Sequence, residues 1–148
     1  MNDLATNKNA SYDYEILERF EAGLILFGHE VKSAKGGGAS LKGSYVIIRG
    51  NKASLIGSHI ARWKPAGVIP GYDPERSREL LLRKKELKYL LGKTAEKGLT
   101  AVPLRMYTKS GKIKLEFALA RHKKKYEKRE KIKEREVKRI IGSAVRRT

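Results

Sequence analysis

The side chains that could perform catalysis or bind a metal ion are few in this chain, and their spacing suits neither task. Histidine occurs at three positions, His29, His59 and His122, and cysteine is absent. No HExxH spacing occurs, so the sequence carries no zinc signature. A nuclease would need paired carboxylates for metal or a histidine base, and Glu21 with Glu30 is the one candidate pair. We therefore predict a protein that is not an enzyme and that uses no metal or cofactor.

A glycine-rich stretch resembles a phosphate-binding loop only in part. Gly38 and Gly43 have the spacing of that motif, but Ser44 stands where the motif requires lysine. The three glycines 36–38 are better explained as a turn, although their bare backbone N–H groups could also meet a phosphate. The sequence therefore does not predict a nucleotide-hydrolysing site.

Positive charge is the strongest chemical feature of the chain. The formal net charge is +18, and residues 121–148 alone carry thirteen Lys or Arg against four Glu. A surplus of this size attracts phosphates, and clustered Lys and Arg make nucleic acid the default partner. Tyr126 lies inside the cationic run, where an aromatic ring can stack on a base. We expect the partner to be a polyanion, with RNA favoured over an anionic membrane surface.

A second group of basic residues lies in the body of the chain. Its members are Arg76, Arg78, Arg83, Lys84, Lys85 and Lys88. A solvated helix face would explain about half of such runs. Here only Glu75, Glu79 and Glu86 balance the positive residues, so a functional basic patch is favoured.

The elements that must position these residues are mostly short strands. Two hairpins are predicted, one joining 45–48 to 53–56 and one joining 104–107 to 113–119, each around a Gly-containing turn. In the last strand Ile113, Leu115, Phe117 and Leu119 share one face, so Lys114 points to solvent or to a ligand. The pattern predicts a mainly β fold with peripheral helices, an OB-like antiparallel β-barrel.

The first third of the chain is predicted to hold two further strands and a short helix. Tyr12, Tyr14 and Ile16 alternate with polar residues as in a half-buried strand, and 22–27 is apolar enough for a second one. One or two helical turns are expected at 30–35, before the three glycines.

The longest helix is predicted after Pro70. Asp73 has the residue type of an N-cap, Pro74 suits the first helical position, and Gly92 could end the helix. On one line of this helix fall Leu80, Lys84, Leu87 and Leu91, and the apolar stripe is widened by Leu81 and Leu90.

Three regions are predicted. They are a flexible N-terminus at 1–10, an OB-like RNA-binding barrel at 11–121 and a basic C-terminal tail at 122–148. The tail has too few apolar side chains to offset an ordering cost of roughly 1–2 kcal/mol per residue, so alone it should be disordered and, neutralised by phosphates, helical. The chain has no 18-residue apolar run and no signal-like start, so a cytoplasmic location is expected.

An ordered set of short motifs resembles a known family. The motifs are 13–16 (Asp-Tyr-Glu-Ile), 20–23 (Phe-Glu-Ala-Gly), 28–33 (Gly-His-Glu-Val-Lys-Ser), 44–46, 59–60, 73–78 with 80–82, 102–104, and 118–121 continuing through Lys123 and Lys124 to Lys128 and Arg129. Together they resemble small protein B, the bacterial SsrA-binding protein family, over roughly residues 7 to 140.

The resemblance implies an RNA-binding adaptor of trans-translation. Its partner would be the tRNA-like domain of transfer-messenger RNA, delivered with elongation factor Tu to the A site of a stalled bacterial ribosome. The tail would probe the empty mRNA channel near the decoding centre and the small-subunit rRNA, becoming helical there. A monomer is expected, because the charge opposes self-association.

The residues expected to bind RNA fall into two sets. The body set is Glu21, Lys32, Ser33, Arg76, Arg78, Leu81, Lys84, Lys114 and Arg121, among which the resemblance singles out Glu21, Leu81 and Lys114. The tail set, for the decoding region, is Lys123, Lys124, Tyr126, Lys128, Arg129, Lys131 and Lys133.

The chain departs from the family pattern at three tail positions. His122 replaces a common Gly and stiffens the connection between barrel and tail, Glu127 replaces a common Asp, and Tyr126 stands where other members carry His. The alternative to a rescue adaptor is a basic OB-like structural component of the ribosome, since barrels with basic arms are common there.

Overall fold

The computed structural model describes residues 3–123, which fold into a mainly β structure with three α-helices. The strands are β1 (Asp3–Thr6), β2 (Tyr14–Leu24), β3 (Ala39–Ser40), β4 (Tyr45–Arg49), β5 (Lys52–Ile56), β6 (His59–Ile60), β7 (Arg78–Leu81), β8 (Leu99–Lys109) and β9 (Lys112–His122). The helices are α1 (Ala10–Asp13), α2 (Gly28–Lys35) and α3 (Lys84–Thr94), with a 3-10 turn at Lys64–Ala66.

Seven strands form one antiparallel sheet. Their order is β1-β8-β4-β5-β7-β2-β9, and β9 also pairs with β8. The pairings therefore lead from β8 through β4, β5, β7, β2 and β9 back to β8. Strands β3 and β6 form a separate two-stranded sheet.

The core lies on the inner face of this sheet, and β9 shows why. Ile113, Leu115, Phe117 and Leu119 are all at most 6% exposed, which confirms the predicted apolar face of the last strand. Alternate residues of a strand point to opposite faces, so Lys114 is directed away from the core. Helix α3 covers part of the core by burying Leu90 and packing Leu87 against it.

Both predicted hairpins are confirmed. Strands β4 and β5 pair from Tyr45–Ile56 to Arg49–Lys52, and β8 and β9 pair as far as Lys109–Lys112. The second hairpin turns through Ser110 and Gly111, with φ of 52° and 76°. Two successive positive φ values give the turn whose twist matches that of the flanking strands.

The start of the chain is more ordered than predicted. Residues 1–10 were expected to be flexible, but β1 pairs with β8 and places Asp3 opposite Tyr107. A strand was expected from Tyr12, whereas the chain forms α1 first and then one long strand, β2. The two strands predicted at 12–16 and 22–27 are therefore mostly one, because β2 pairs along its length with β9. The short helix expected at 30–35 is present as α2.

The predicted helix beginning at Asp73 is wrong. Asp73 Oδ1 accepts a hydrogen bond from the Glu75 backbone N–H at 2.9 Å, as in a cap, but the chain then enters β7. Helix α3 starts only at Lys84 and continues through Gly92 to Thr94. The cause is tertiary, since β7 pairs with both β2 and β5 and its Leu80 enters the core.

Candidate nucleic-acid interface

A row of four register partners crosses four strands at one end of the sheet. Leu81 of β7 lies opposite Gly23 of β2, Gly23 opposite Lys114 of β9, and Lys114 opposite Tyr107 of β8. Register partners in an antiparallel sheet project from the same face. Glu21 is two residues from Gly23 and so shares that face. The three residues singled out by the resemblance, Glu21, Leu81 and Lys114, thus meet around one glycine.

Gly23 lies directly beside Leu81 and has no side chain of its own. A Cβ atom at Gly23 would lie 3.4 Å from the Leu81 Cβ and 3.5 Å from its Cδ1. The Leu81 side chain lies over this space and is 58% exposed. The row therefore presents a flat apolar surface next to a cation.

Glu21 organises the polar half of the site. Its carboxylate accepts a hydrogen bond from the Tyr107 hydroxyl and lies 3.3 Å from the Lys109 Nζ. The Tyr107 hydroxyl, and after it Lys109 and Lys114, hold the pKa of Glu21 below its usual value, although partial desolvation opposes them. Burial, and then Glu21, raise the pKa of Tyr107. Glu21 therefore stays ionised and Tyr107 stays a hydrogen-bond donor at neutral pH.

Beside this group, ion pairs cross four strands. Arg19 of β2 lies 3.2 Å from Glu116 of β9, whose carboxylate is also 3.5 Å from Arg105 of β8. Arg105 in turn lies 2.7 Å from Asp3 of β1. Arg105 is placed over the Tyr107 ring, 4.2 Å from its centroid. Arg19 and Arg105 of this face are therefore each paired with a carboxylate.

A second cluster, built on Glu30, is buried. Glu30 and Arg78 have no exposed side-chain surface, and they pair at 2.6 Å. Burial raises the pKa of Glu30, but hydrogen bonds from Arg76, the Phe27 backbone N–H and Arg78 outweigh it and lower the pKa to about 2. The carboxylate of Glu30 is therefore fully hydrogen-bonded within the protein. A nuclease would need it as a general base or metal ligand, and it is not available for either role.

Arg78 was predicted to contact RNA, and its position contradicts that. Its guanidinium also donates to the carbonyls of Ser58 at 3.0 Å and Pro74 at 2.9 Å. A side chain with no exposed surface cannot reach a phosphate, so Arg78 holds α2 and the loops around β6 and β7 together. Ser33 is similar, since it is 5% exposed and donates to the Ala61 carbonyl at 2.5 Å. Neither residue fits a direct contact with RNA.

The remaining predicted body residues are accessible but spread out. Arg76 is a quarter exposed beside Glu30, and Lys32 lies over the Trp63 ring, 4.5 Å from its centroid. Lys84 is exposed at the start of α3. Arg121 is exposed near the far end of β9, seven residues or about 23 Å along the strand from Lys114. The structure thus gathers Glu21, Leu81 and Lys114, and leaves Arg121 at the opposite end.

The tail leaves the body at that opposite end. The Lys123 backbone N–H donates to the Asp13 carbonyl at 3.0 Å, and its Nζ donates to the Ser11 carbonyl at 2.7 Å. The His122 ring contacts the Tyr14 ring at a centroid distance of 4.4 Å. The other predicted tail residues, Lys124, Tyr126, Lys128, Arg129, Lys131 and Lys133, lie outside the described residues, as does the predicted change of tail conformation.

Residue types alone could not indicate several members of the site. Tyr107, Lys109, Arg105 and Glu116 join it through strand register, which sets which side chains meet across β2, β8 and β9. The usable signal was the predicted β8–β9 hairpin, since its register places Tyr107 beside Lys114. Within residues 3–123 no group of three or more His, Asp or Glu is placed to hold a metal ion, and no helix there is long and apolar enough to cross a membrane.

Fold and site together define a mainly β protein in a strongly basic chain, whose sheet face carries lysines and arginines beside carboxylates and an exposed apolar centre, a surface suited to a nucleic acid. Comparison with known proteins places it more narrowly. The SmpB protein family model matches residues 4–147, and the chain belongs to that family.

Curated relatives and a solved structure agree with this assignment. The SsrA-binding protein of Sulfurihydrogenibium sp. (strain YO3AOP1) is 55% identical over 138 residues, which are 93% of this chain and 90% of the relative. That of Persephonella marina is 50% identical over 139 residues, or 94% and 91%. The structure "tmRNA-SmpB: a journey to the center of the bacterial ribosome" contains a chain 44% identical, with a TM-score of 0.67 and coverage of 81% of this chain and 84% of that one.

Proposed function

We propose that this protein is an RNA-binding adaptor of trans-translation. The body binds the tRNA-like domain of transfer-messenger RNA and delivers it, in complex with elongation factor Tu, to the A site of a stalled ribosome in the bacterial cytoplasm. The observation that carries the proposal is the convergence of Glu21, Leu81 and Lys114 around Gly23 in a chain of the SmpB family. The protein performs no catalysis of its own in this reading.

The sheet face around Glu21, Leu81 and Lys114 offers three kinds of contact to RNA. Lys114 and Lys109 supply positive charge for the phosphate backbone, whose contacts position a nucleic acid without reading its sequence. Leu81 packs against a sugar or base over the flat surface left by Gly23. Glu21 orients Tyr107 and Lys109, and its free lone pairs can accept hydrogen bonds from a base or a ribose 2′-hydroxyl.

We propose that the strand pairings close an OB-like barrel with two functional ends. The cycle from β8 through β2 and β9 back to β8 supports closure. The Leu81–Lys114 row lies at one end of β9, and Lys123, fastened to Ser11 and Asp13, lies at the other. The body would hold transfer-messenger RNA at the first end and direct the cationic tail into the empty mRNA channel from the second.

The division between body and tail is tested by truncation. Deleting Tyr126–Thr148 should leave the affinity for transfer-messenger RNA largely intact and abolish peptide tagging on stalled ribosomes. Leu81→Ala and Lys114→Ala should instead weaken RNA binding in the full chain, with Lys52→Ala in the β4–β5 hairpin as an exposed control.

Two results would overturn the proposal. One is loss of RNA affinity on truncation with normal tagging per bound complex. The other is stoichiometric presence of the protein on every ribosome in fractionated lysate, which is the behaviour of a permanent ribosomal component and not of a rescue factor.

A further inference from the structure

An exposed apolar stripe continues from the Leu81–Gly23 pair towards α2. Its members are Leu81, Ile25 and Phe27, which are 58%, 42% and 53% exposed. The Ile25 backbone N–H donates to the Glu79 carbonyl at 3.1 Å, so the pairing of β2 with β7 extends past Leu24. The backbone is still extended at Phe27, with φ of −71° and ψ of 156°. This apolar stripe therefore leads from the candidate interface to the start of α2.

The far end of the stripe is an aromatic ring paired with a cation. The Arg76 guanidinium carbon lies 4.1 Å from the Phe27 ring centroid. Arg76 is held there by Glu30, to which its Nε donates at 3.1 Å, and by the Ser77 carbonyl, to which its Nη1 donates at 3.2 Å.

Two further rings lie next to the pair. The His29 ring stacks with Phe27 at 5.7 Å, and Tyr72 meets His29 edge-on at 4.7 Å. Because Glu30 is itself fixed by the buried Arg78, the pair is pre-organised before any ligand arrives. More than half of Phe27 and a quarter of the Arg76 side chain still remain accessible.

The charge of the surroundings indicates what covers this ring. A chain of net charge +18 draws polyanions to its surface, and the stripe is continuous with the Leu81–Lys114 row. A nucleobase offers a π face to Phe27, and its carbonyl and ring-nitrogen acceptors can approach the guanidinium. An apolar protein surface would cover Phe27 but would also remove water from the accessible quarter of the Arg76 side chain without offering it an acceptor.

We propose that Phe27 and Arg76 form a stacking platform for one unpaired nucleobase of the bound RNA. The platform extends the candidate interface beyond Leu81 and adds a contact that depends on base stacking and not on phosphate charge. This inference rests on the proposed function, because it takes the same RNA as ligand.

The test compares Phe27→Ala, Phe27→Leu and Phe27→Tyr in the full chain, with transfer-messenger RNA as the probe. Alanine and leucine should weaken binding by about 5- to 100-fold, since both remove the π face, and tyrosine should stay within about twofold. Val68→Ala is the control, because Val68 is an apolar side chain 84% exposed elsewhere on the body. The slope of log affinity against log salt should not change in any Phe27 variant, because no phosphate contact is lost.

The outcomes separate this inference from the proposed function. If Leu81→Ala and Lys114→Ala weaken binding while Phe27→Leu binds normally, the platform is refuted and the proposed function stands. If none of these variants changes RNA binding, the proposed function fails as well. Phe27→Leu could also bind RNA normally and associate less with ribosomes. That result would refute the stacking platform and indicate a protein partner at Phe27.

Discussion

Gly23 of β2 and Leu81 of β7 lie opposite each other so closely that a Cβ atom on the glycine would touch the leucine Cβ at 3.4 Å. The φ angle of Gly23 is not in the left-handed region, so the backbone does not require glycine at this position. The Leu81 side chain on the neighbouring strand leaves room there for a Cβ atom at van der Waals distance. A side chain larger than that of alanine at Gly23 would therefore compete with Leu81 for space.

Gly23→Val should uncouple RNA binding from stability. Valine is favoured in strands, so the free energy of unfolding should change by less than about 1 kcal/mol. Its branched side chain would displace Leu81, and affinity for transfer-messenger RNA should fall about tenfold or more, an effect of about 1.4 kcal/mol. Gly23→Ala is the matched control, because its Cβ makes only van der Waals contact. Equal RNA affinity of the two variants, measured by filter binding, would mean that Leu81 is not positioned by this contact.

Glu21→Gln should reduce the preference for transfer-messenger RNA over other RNA, which the loss of one negative charge does not by itself predict. Removing a negative charge from this strongly basic chain should strengthen non-specific RNA binding slightly. The amide also leaves Tyr107 and Lys109 without their carboxylate, so specific binding should weaken. The ratio of affinities for transfer-messenger RNA and bulk tRNA should therefore fall, by about tenfold.

The control for Glu21→Gln is Glu96→Gln, which makes the same charge change just beyond α3. It should leave the ratio of affinities unchanged. An equal rise in both affinities on Glu21→Gln would show that Glu21 acts only by repelling phosphates.

The parts of the fold predicted correctly from the sequence rest on local patterns. The β4–β5 and β8–β9 hairpins have short Gly-containing turns between alternating strands, and the outward direction of Lys114 follows from the same alternation. The roles of Glu21 and Leu81 came from the family resemblance and not from charge or periodicity. Local pattern therefore predicted the strands and the outward direction of Lys114, and the resemblance added Glu21 and Leu81 to the candidate site.

The errors arise where long-range pairing overrides a local signal. Asp73 makes a cap-like hydrogen bond, and the leucines at 80–82 fit a helix or a strand equally well. Pairing of β7 with β2 and β5 decides the outcome, and α3 begins at Lys84, where Glu86 accepts from the Arg83 backbone N–H at 3.2 Å. Arg78 resembled a surface cation for the same reason, since its partner Glu30 is 48 residues away.

Arg78→Met should act through stability and not through RNA contact. Removing one partner of a buried ion pair costs about 3–5 kcal/mol, and the loss should lie at the lower end of that range because Glu30 keeps Arg76 as its remaining cationic partner. Glu30→Gln/Arg78→Met removes both charges and should recover part of the loss. Chemical denaturation measures the free energy of unfolding of the single and the double variant. The slope of log affinity for RNA against log salt should match that of the unmodified chain. A reduced slope with unchanged stability would restore Arg78 as a phosphate contact.

Glu30 should also make the folded state sensitive to acid. Its pKa of about 2 lies below its usual value of 4.5, so its ionisation stabilises the folded state above pH 4.5. That stabilisation should be lost as the pH falls from 4.5 towards 2. Glu30→Gln should therefore be less stable at neutral pH and show a flatter dependence across that window, measured by denaturation at several pH values. If the free energy of unfolding of Glu30→Gln depends on pH as in the unmodified chain, other carboxylates cause the acid sensitivity.

His122→Gly tests the stiffness of the connection to the tail. The His122 ring contacts Tyr14, and β9 stays paired with β2 as far as these two residues. Glycine loses the ring contact and weakens a strand by roughly 0.5–1 kcal/mol relative to alanine. Amide hydrogen exchange should therefore rise at 119–123, while RNA affinity at the Leu81–Lys114 row stays constant.

Tagging per bound complex should fall, because the tail would leave the body in a less defined direction. His122→Tyr keeps a ring at this position and should preserve both protection and tagging. Unchanged exchange in His122→Gly would mean that the Lys123 hydrogen bonds to Asp13 and Ser11 suffice to fix the connection.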